Sequence, residues 1–125
     1  MNFDETAEFT RELKSLTKRW DSLHNDLEKV KRQIETLYME NSEINMNEYR
    51  QNFFNGKRAT ILRQSEDNEV VKMRLDCASL GNKSLLRLIF IYIKTGSRVL
   101  LVELYSKNDK SREDTTRIKR YLNAV

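Results

Sequence analysis

The chain of 125 residues is 38% hydrophobic and 34% charged, with three glycines and no proline. That balance fits one domain with a modest core and leaves no flexible linker and no phosphate-cradling glycine loop. One cysteine, Cys77, and one histidine, His24, exclude an internal disulfide and a Cys/His zinc site built from this chain alone.

Asn2–Glu5 reads as a short first strand. Thr6 follows as a helix N-cap, with Glu8 in the first turn where a carboxylate meets the positive end of the helix dipole. Phe9, Leu13 and Leu16 then recur at helical spacing. After the polar break around Trp20–Ser22, Leu23, Leu27, Val30, Ile34 and Leu37 step by 4, 3, 4 and 3. This stripe predicts a second amphipathic helix to about Tyr38, with Trp20 at the corner of an antiparallel hairpin. It covers too few heptads for a coiled coil and reads as core-facing.

Residues 40–56, ENSEINMNEYRQNFFNG, carry no clear period; the reading is a short helix around Met46–Phe54 ending at Gly56. Ala59–Leu62 reads as a short strand and SEDNE at 65–69 as a loop. Val71, Met73 and Leu75 alternate with Lys72, Arg74 and Asp76, the period of a half-buried strand. Leu85–Ile93 is nearly all apolar and reads as a central strand covered on both faces. Lys94-Thr95-Gly96-Ser97 supplies a tight turn into Val99–Tyr105. In SREDTTRIKRYL, Ser111 reads as an N-cap and Asp114 as the acid of a capping box, with Ile118 and Leu122 anchoring a closing helix.

This order predicts an α+β fold: an N-terminal strand and α-helical hairpin packed on a small antiparallel β-sheet, with a short C-terminal helix. No run approaches 18 apolar residues, so no membrane span is expected. MNFDETAEFTREL lacks a basic stretch followed by an apolar one, so no signal peptide is expected and the predicted location is cytoplasmic.

Charge is unevenly spread. Residues 1–56 carry 8 Lys+Arg against 11 Asp+Glu, whereas residues 57–125 carry 15 against 8. The second half therefore favours a polyanion or an acidic protein as partner. Lys72 and Arg74, two apart on a strand, share one sheet face. Arg87 interrupts the apolar central strand. It either pairs with a carboxylate such as Glu103 or opens onto a functional concavity. Lys83 precedes that strand, and Lys107 and Lys110 follow the last one. Most lone lysines on an exposed strand are simply solvated, and Lys110, Arg112, Lys119 and Arg120 have that same simple reading as surface charge. With a single histidine, no Ser/His/Asp or Cys/His nucleophile can be assembled. What stands out is a cluster of cations on one sheet face, which suits phosphate.

The motifs now fall into a familiar order. MNFDETAEFTRELKSLTKRWDSLHNDLEKV resembles the opening of RelE/ParE-superfamily toxins, notably their HigB- and RelE-like branch. VVKMRLDC is similar to that family's "KIRL" strand, LLRLIFIY to its "GYRVIYY" strand, and LVELYSKND to its "IYAKNE" strand end. The resemblance spans nearly the whole chain. It implies the toxin of a bacterial type II toxin–antitoxin pair: a metal-independent, cofactor-free endoribonuclease that cuts mRNA in the ribosomal A site and is neutralised by a cognate antitoxin. By position, it implies Arg87 on the scissile phosphate, Lys72 in proton transfer or charge stabilisation, and Arg74 and Lys107 on the RNA backbone. Lys83, Asn108 and Lys110 are expected to flank the RNA. A lysine serves as a base only where neighbouring cations depress its pKa, which a basic cluster can do. Three departures are visible: Leu85-Leu86 replaces the family's glycine pair, Asn108 stands where RelE proper has an arginine, and no aromatic stands at Asp114–Thr116. A ParE-like gyrase-binding toxin and an inactive antitoxin-binding module are the alternatives on the same scaffold.

Overall fold

The computed structural model describes residues 1–38, 46–55, 58–81 and 83–125, with side chains in the third helix described from Arg50 onward. Its elements are β1 (Asn2–Glu5), α1 (Ala7–Arg19), α2 (Leu23–Tyr38), α3 (Met46–Phe54), β2 (Ala59–Gln64), β3 (Asn68–Cys77), β4 (Lys83–Ile93), β5 (Arg98–Ser106) and α4 (Thr115–Ala124). The expected Gly56 stop after α3 lies outside the described residues.

Strands β2 to β5 form an antiparallel meander, and β1 adds to its far edge in the order β1-β5-β4-β3-β2. The sheet is mixed, not purely antiparallel, because β1 runs parallel to β5 with Phe3 opposite Val99. A strand that feeds directly into α1 is thereby joined to the last strand of the chain. Thr6 makes that junction. Its N–H donates to Leu101 O at 3.1 Å, while its hydroxyl accepts from Phe9 N at 3.0 Å as the N-cap of α1.

Alternation gives the sheet two distinct faces. One face presents Val71, Met73, Leu75, Leu86, Leu88 and Phe90 to the hairpin, which contributes Phe9, Leu13, Leu16, Leu23, Leu27, Val30 and Ile34. The predicted stripe of α2 is therefore core. The other face presents Val70, Ile89, Ile91 and Val102 to Ile118, with Leu122 packed beside them. A register shift where Ile89/Phe90 meet Glu103/Leu101 inserts an extra residue in β5, as a β-bulge does. It leaves Glu103 fully buried opposite Ile89.

The closing helix starts later than Ser111 predicted. Asp114 is the N-cap, accepting from Arg117 N at 3.0 Å. The reason is the buried Glu103 carboxylate, which accepts from Asp114 N at 2.9 Å and from the Lys110 ammonium. Residues 107–114 are thus drawn across the end of β5 before a helix can form. At the opposite corner, Arg50 Nη2 donates to Glu69 Oε1 at 2.7 Å and Tyr38 Oη to the same oxygen at 3.1 Å. This pins α3 to the sheet.

Candidate nucleic-acid interface

Helix α4 covers only part of the second sheet face. Beyond its edge the face continues in charged residues. Arg74 on β3 and Arg87 on β4 are directly opposed, and Tyr105 on β5 is opposed to Arg87 in turn. At the near edge, Arg74 N donates to Arg58 O at 2.9 Å, which brings Arg58 alongside the same row. Neighbouring strands lie about 4.8 Å apart, so this row of cations crosses the strands at close intervals.

The row forms the floor and wall of a cavity of about 300 Å³ whose lining includes Arg58, Thr60, Lys72, Arg74, Arg87, Lys107 and Ser111. The four cations expected from sequence to do the chemistry, Lys72, Arg74, Arg87 and Lys107, therefore converge on one concavity. Of the two fates open to Arg87, pairing with Glu103 is not the one taken, and the side chain lines the concavity instead. Glu103 is committed to Lys110, and among the described residues Arg87 forms no ion pair. Its Nη1 instead donates to Ser84 O at 2.6 Å and Leu86 O at 3.1 Å. These bonds aim the guanidinium of a residue that is 6% exposed without neutralising it. Burial first, and the Arg74 charge second, push its pKa below the ordinary value. A site that holds two opposed guanidiniums uncompensated is prepared for an anion.

Lys72 differs from expectation. Its ammonium donates to Glu113 Oε2 at 2.9 Å. Partial burial pulls its pKa down, but the Glu113 hydrogen bond, with help from Tyr105, outweighs that and leaves it raised. The expected depression by neighbouring cations does not occur, so Lys72 keeps its proton near neutrality. Glu113 moves the other way: burial raises it, yet the Lys72 hydrogen bond and its own backbone bring the net value down.

Lys107 projects from the turn after β5. Its N–H donates to Leu85 O at 2.9 Å, which ties the turn to β4 two residues before Arg87. Buried Ser106 organises the same turn, accepting from Asp109 N at 2.9 Å, Lys110 N at 3.2 Å and, through Oγ, Asn108 N at 3.2 Å. The flanking residues are less consistent with expectation. Lys83 and Asn108 are exposed but do not line the cavity. Lys110 is consumed by Glu103 and sits 5.0 Å from the Tyr105 ring centroid, so its role is structural and not RNA-facing.

Arg58 was not evident from sequence. It is held by a two-pronged pairing with Asp76, at 3.1 and 2.6 Å, and Ser84 Oγ also donates to Asp76. Ser84 thus serves both arginines, one through its carbonyl and one through Asp76. Glu113 was hidden because REDTT reads as the first turn of a helix.

Comparison with family models, curated proteins and solved structures returns no match. The site therefore rests on its own geometry. Among the described residues, no three His, Cys, Asp or Glu gather as metal ligands, and no helix is long and apolar enough to cross a membrane. A larger cavity of about 440 Å³ lies by α1 and α4. There Arg117 meets Glu8 and Glu12 at 3.4 and 2.8 Å, so its charges are already matched.

Proposed function

We propose that this protein binds single-stranded RNA through the Arg58–Arg74–Arg87–Lys107 cavity and acts as a ribosome-dependent mRNA endonuclease, the toxin of a type II toxin–antitoxin pair. The observation that carries the reading is the convergence of Lys72, Arg74, Arg87 and Lys107 on one concavity, with Arg74 and Arg87 opposed and unpaired among the described residues. Phosphate is the ligand such a row recognises. Sequence resemblance to RelE-like toxins narrows phosphate to the RNA backbone.

In this reading, the 2′-hydroxyl gives its proton to solvent water as its oxygen attacks the adjacent phosphorus, the bond to the 5′ oxygen breaks, and a 2′,3′-cyclic phosphate remains. Arg87 and Arg74 balance the charge that gathers on the non-bridging oxygens. Lys72, which keeps its proton, adds charge and donates to the leaving 5′ oxygen; it does not serve as the base. Lys107 holds the flanking backbone, and Arg58, already paired with Asp76, lines the cavity beside it. An acidic antitoxin silences the protein by covering the same cations, and the site of action is the translating ribosome in the cytoplasm.

The raised pKa of Lys72 favours one second reading, a binding module that retains the cavity without turnover. The two separate by end-group chemistry. RNA from cells expressing the protein should carry new 2′,3′-cyclic phosphate ends that vanish with Arg87→Ala. Growth arrest without such ends would support a binding module or another target.

A further inference from the structure

Tyr105 carries a buried hydroxyl that makes no full hydrogen bond in the fold. The residue is 5% exposed, and its ring lies in the apolar cluster with Ile89 and Ile118. Its Oη is buried and makes no hydrogen bond of ordinary geometry. Leaving such a group unmatched is unfavourable, whereas phenylalanine would fill the same space without that cost. The position explains what the hydroxyl is near. Tyr105 stands directly across from Arg87, on the face that also carries Lys72 and Arg74. The Lys72 ammonium already reaches the Tyr105 hydroxyl, acting on it by charge and by a contact short of full hydrogen-bond geometry. The ammonium has three donors, and Glu113 occupies one of them at 2.9 Å.

We propose that Tyr105 is a positioning residue for Lys72: as the ammonium turns from Glu113 toward a phosphate in the cavity, the Tyr105 hydroxyl accepts a hydrogen bond from it and fixes its direction. The inference rests on the cavity being a phosphate site. It explains why a hydroxyl without a full hydrogen bond occupies the core at this point. The ammonium then holds a carboxylate when the cavity is empty, and a phenolic oxygen together with a phosphate when it is filled.

The test is Tyr105→Phe in the full chain, read three ways. Melting temperature should stay level or rise, because an unmatched hydroxyl is removed. Exchange of the Lys72 ammonium protons, followed by proton–nitrogen NMR, should slow on adding pyrophosphate to the wild type and slow far less in Tyr105→Phe. RNA cleavage should lose on the order of tenfold in kcat with KM nearly unchanged, and nothing further in a Lys72→Met background. If pyrophosphate slows exchange equally in both proteins, the positioning role is overturned while the phosphate site stands. If it leaves the wild type unchanged, the phosphate site fails and the positioning role with it. An equal tenfold loss in the Lys72→Met background would also overturn the inference, since Tyr105 would then act without Lys72.

Discussion

Arg74 and Arg87 stand directly opposite each other on neighbouring antiparallel strands, with no ion pair to either among the described residues. Like charges in this arrangement oppose folding. Replacing Arg74 with methionine should therefore leave stability level or raise it by about 0.5–1 kcal/mol, while RNA affinity falls. Lys119→Ala, remote from the cavity, should change neither. Urea denaturation and fluorescence anisotropy with a labelled single-stranded RNA check both outcomes. Loss of stability in Arg74→Met would mean that the row is structural.

Lys107 and Lys110 are three residues apart and should behave oppositely. Lys110 neutralises the fully buried Glu103, so Lys110→Ala strands a carboxylate in the core. A cost of about 2–3 kcal/mol is expected, set by the burial of one partner only. Lys107→Ala should be nearly neutral in stability but should weaken RNA binding and reduce its dependence on salt by about one phosphate contact. Thermal melts and a salt titration of affinity separate the two.

The Lys72–Glu113 pair sets a pH window. Glu113 is lowered on folding from an ordinary value of 4.5. It adds stability above that value, and this is lost as pH falls through the folded one. Lys72 is raised from an ordinary 10.5, so its contribution is complete below that value and is lost as pH rises through the folded one. The pair should therefore stabilise the fold across the neutral range and fade at both extremes. In Lys72→Met, denaturation midpoints measured from pH 3 to 7 should fall less steeply on the acid side than in the wild type.

Glu69 is 2% exposed and held by Arg50 and Tyr38. Arg50→Ala removes its cation and should cost about 3 kcal/mol, with α3 losing hydrogen-exchange protection first. RNA binding per folded molecule should be unaffected, because none of the described residues of α3 lines the cavity.

Much of the architecture was legible because it follows from period alone. The 4-3-4-3 stripe of α2, the alternation of β3 and the glycine turn between β4 and β5 each reflect a local rule. The parallel pairing of β1 with β5 was not legible, since it joins the two ends of the chain. The Asp114 cap was missed because Ser111 satisfies the same local rule. Only the buried Glu103, pulled inward by a bulge, decides between them. The site shows the same division. Lys72, Arg74 and Arg87 could be placed on one face by counting, and Lys107 by its place after the last strand. Arg58 and Glu113 could not be found by either route, because Arg58 is held at the cavity by Asp76 and Glu113 meets Lys72 only in the folded chain. Lys110 looked equivalent to Lys107 until its carboxylate partner was seen.

The most direct test of the central claim is primer extension on a reporter mRNA in a purified translation system, comparing the wild type with Arg87→Ala. New 5′ ends that appear only when ribosomes are present, and are absent with Arg87→Ala, are the predicted result. Absence of new ends with a folded wild-type protein, or an unchanged pattern with Arg87→Ala, would contradict the assignment of the cavity to mRNA cleavage.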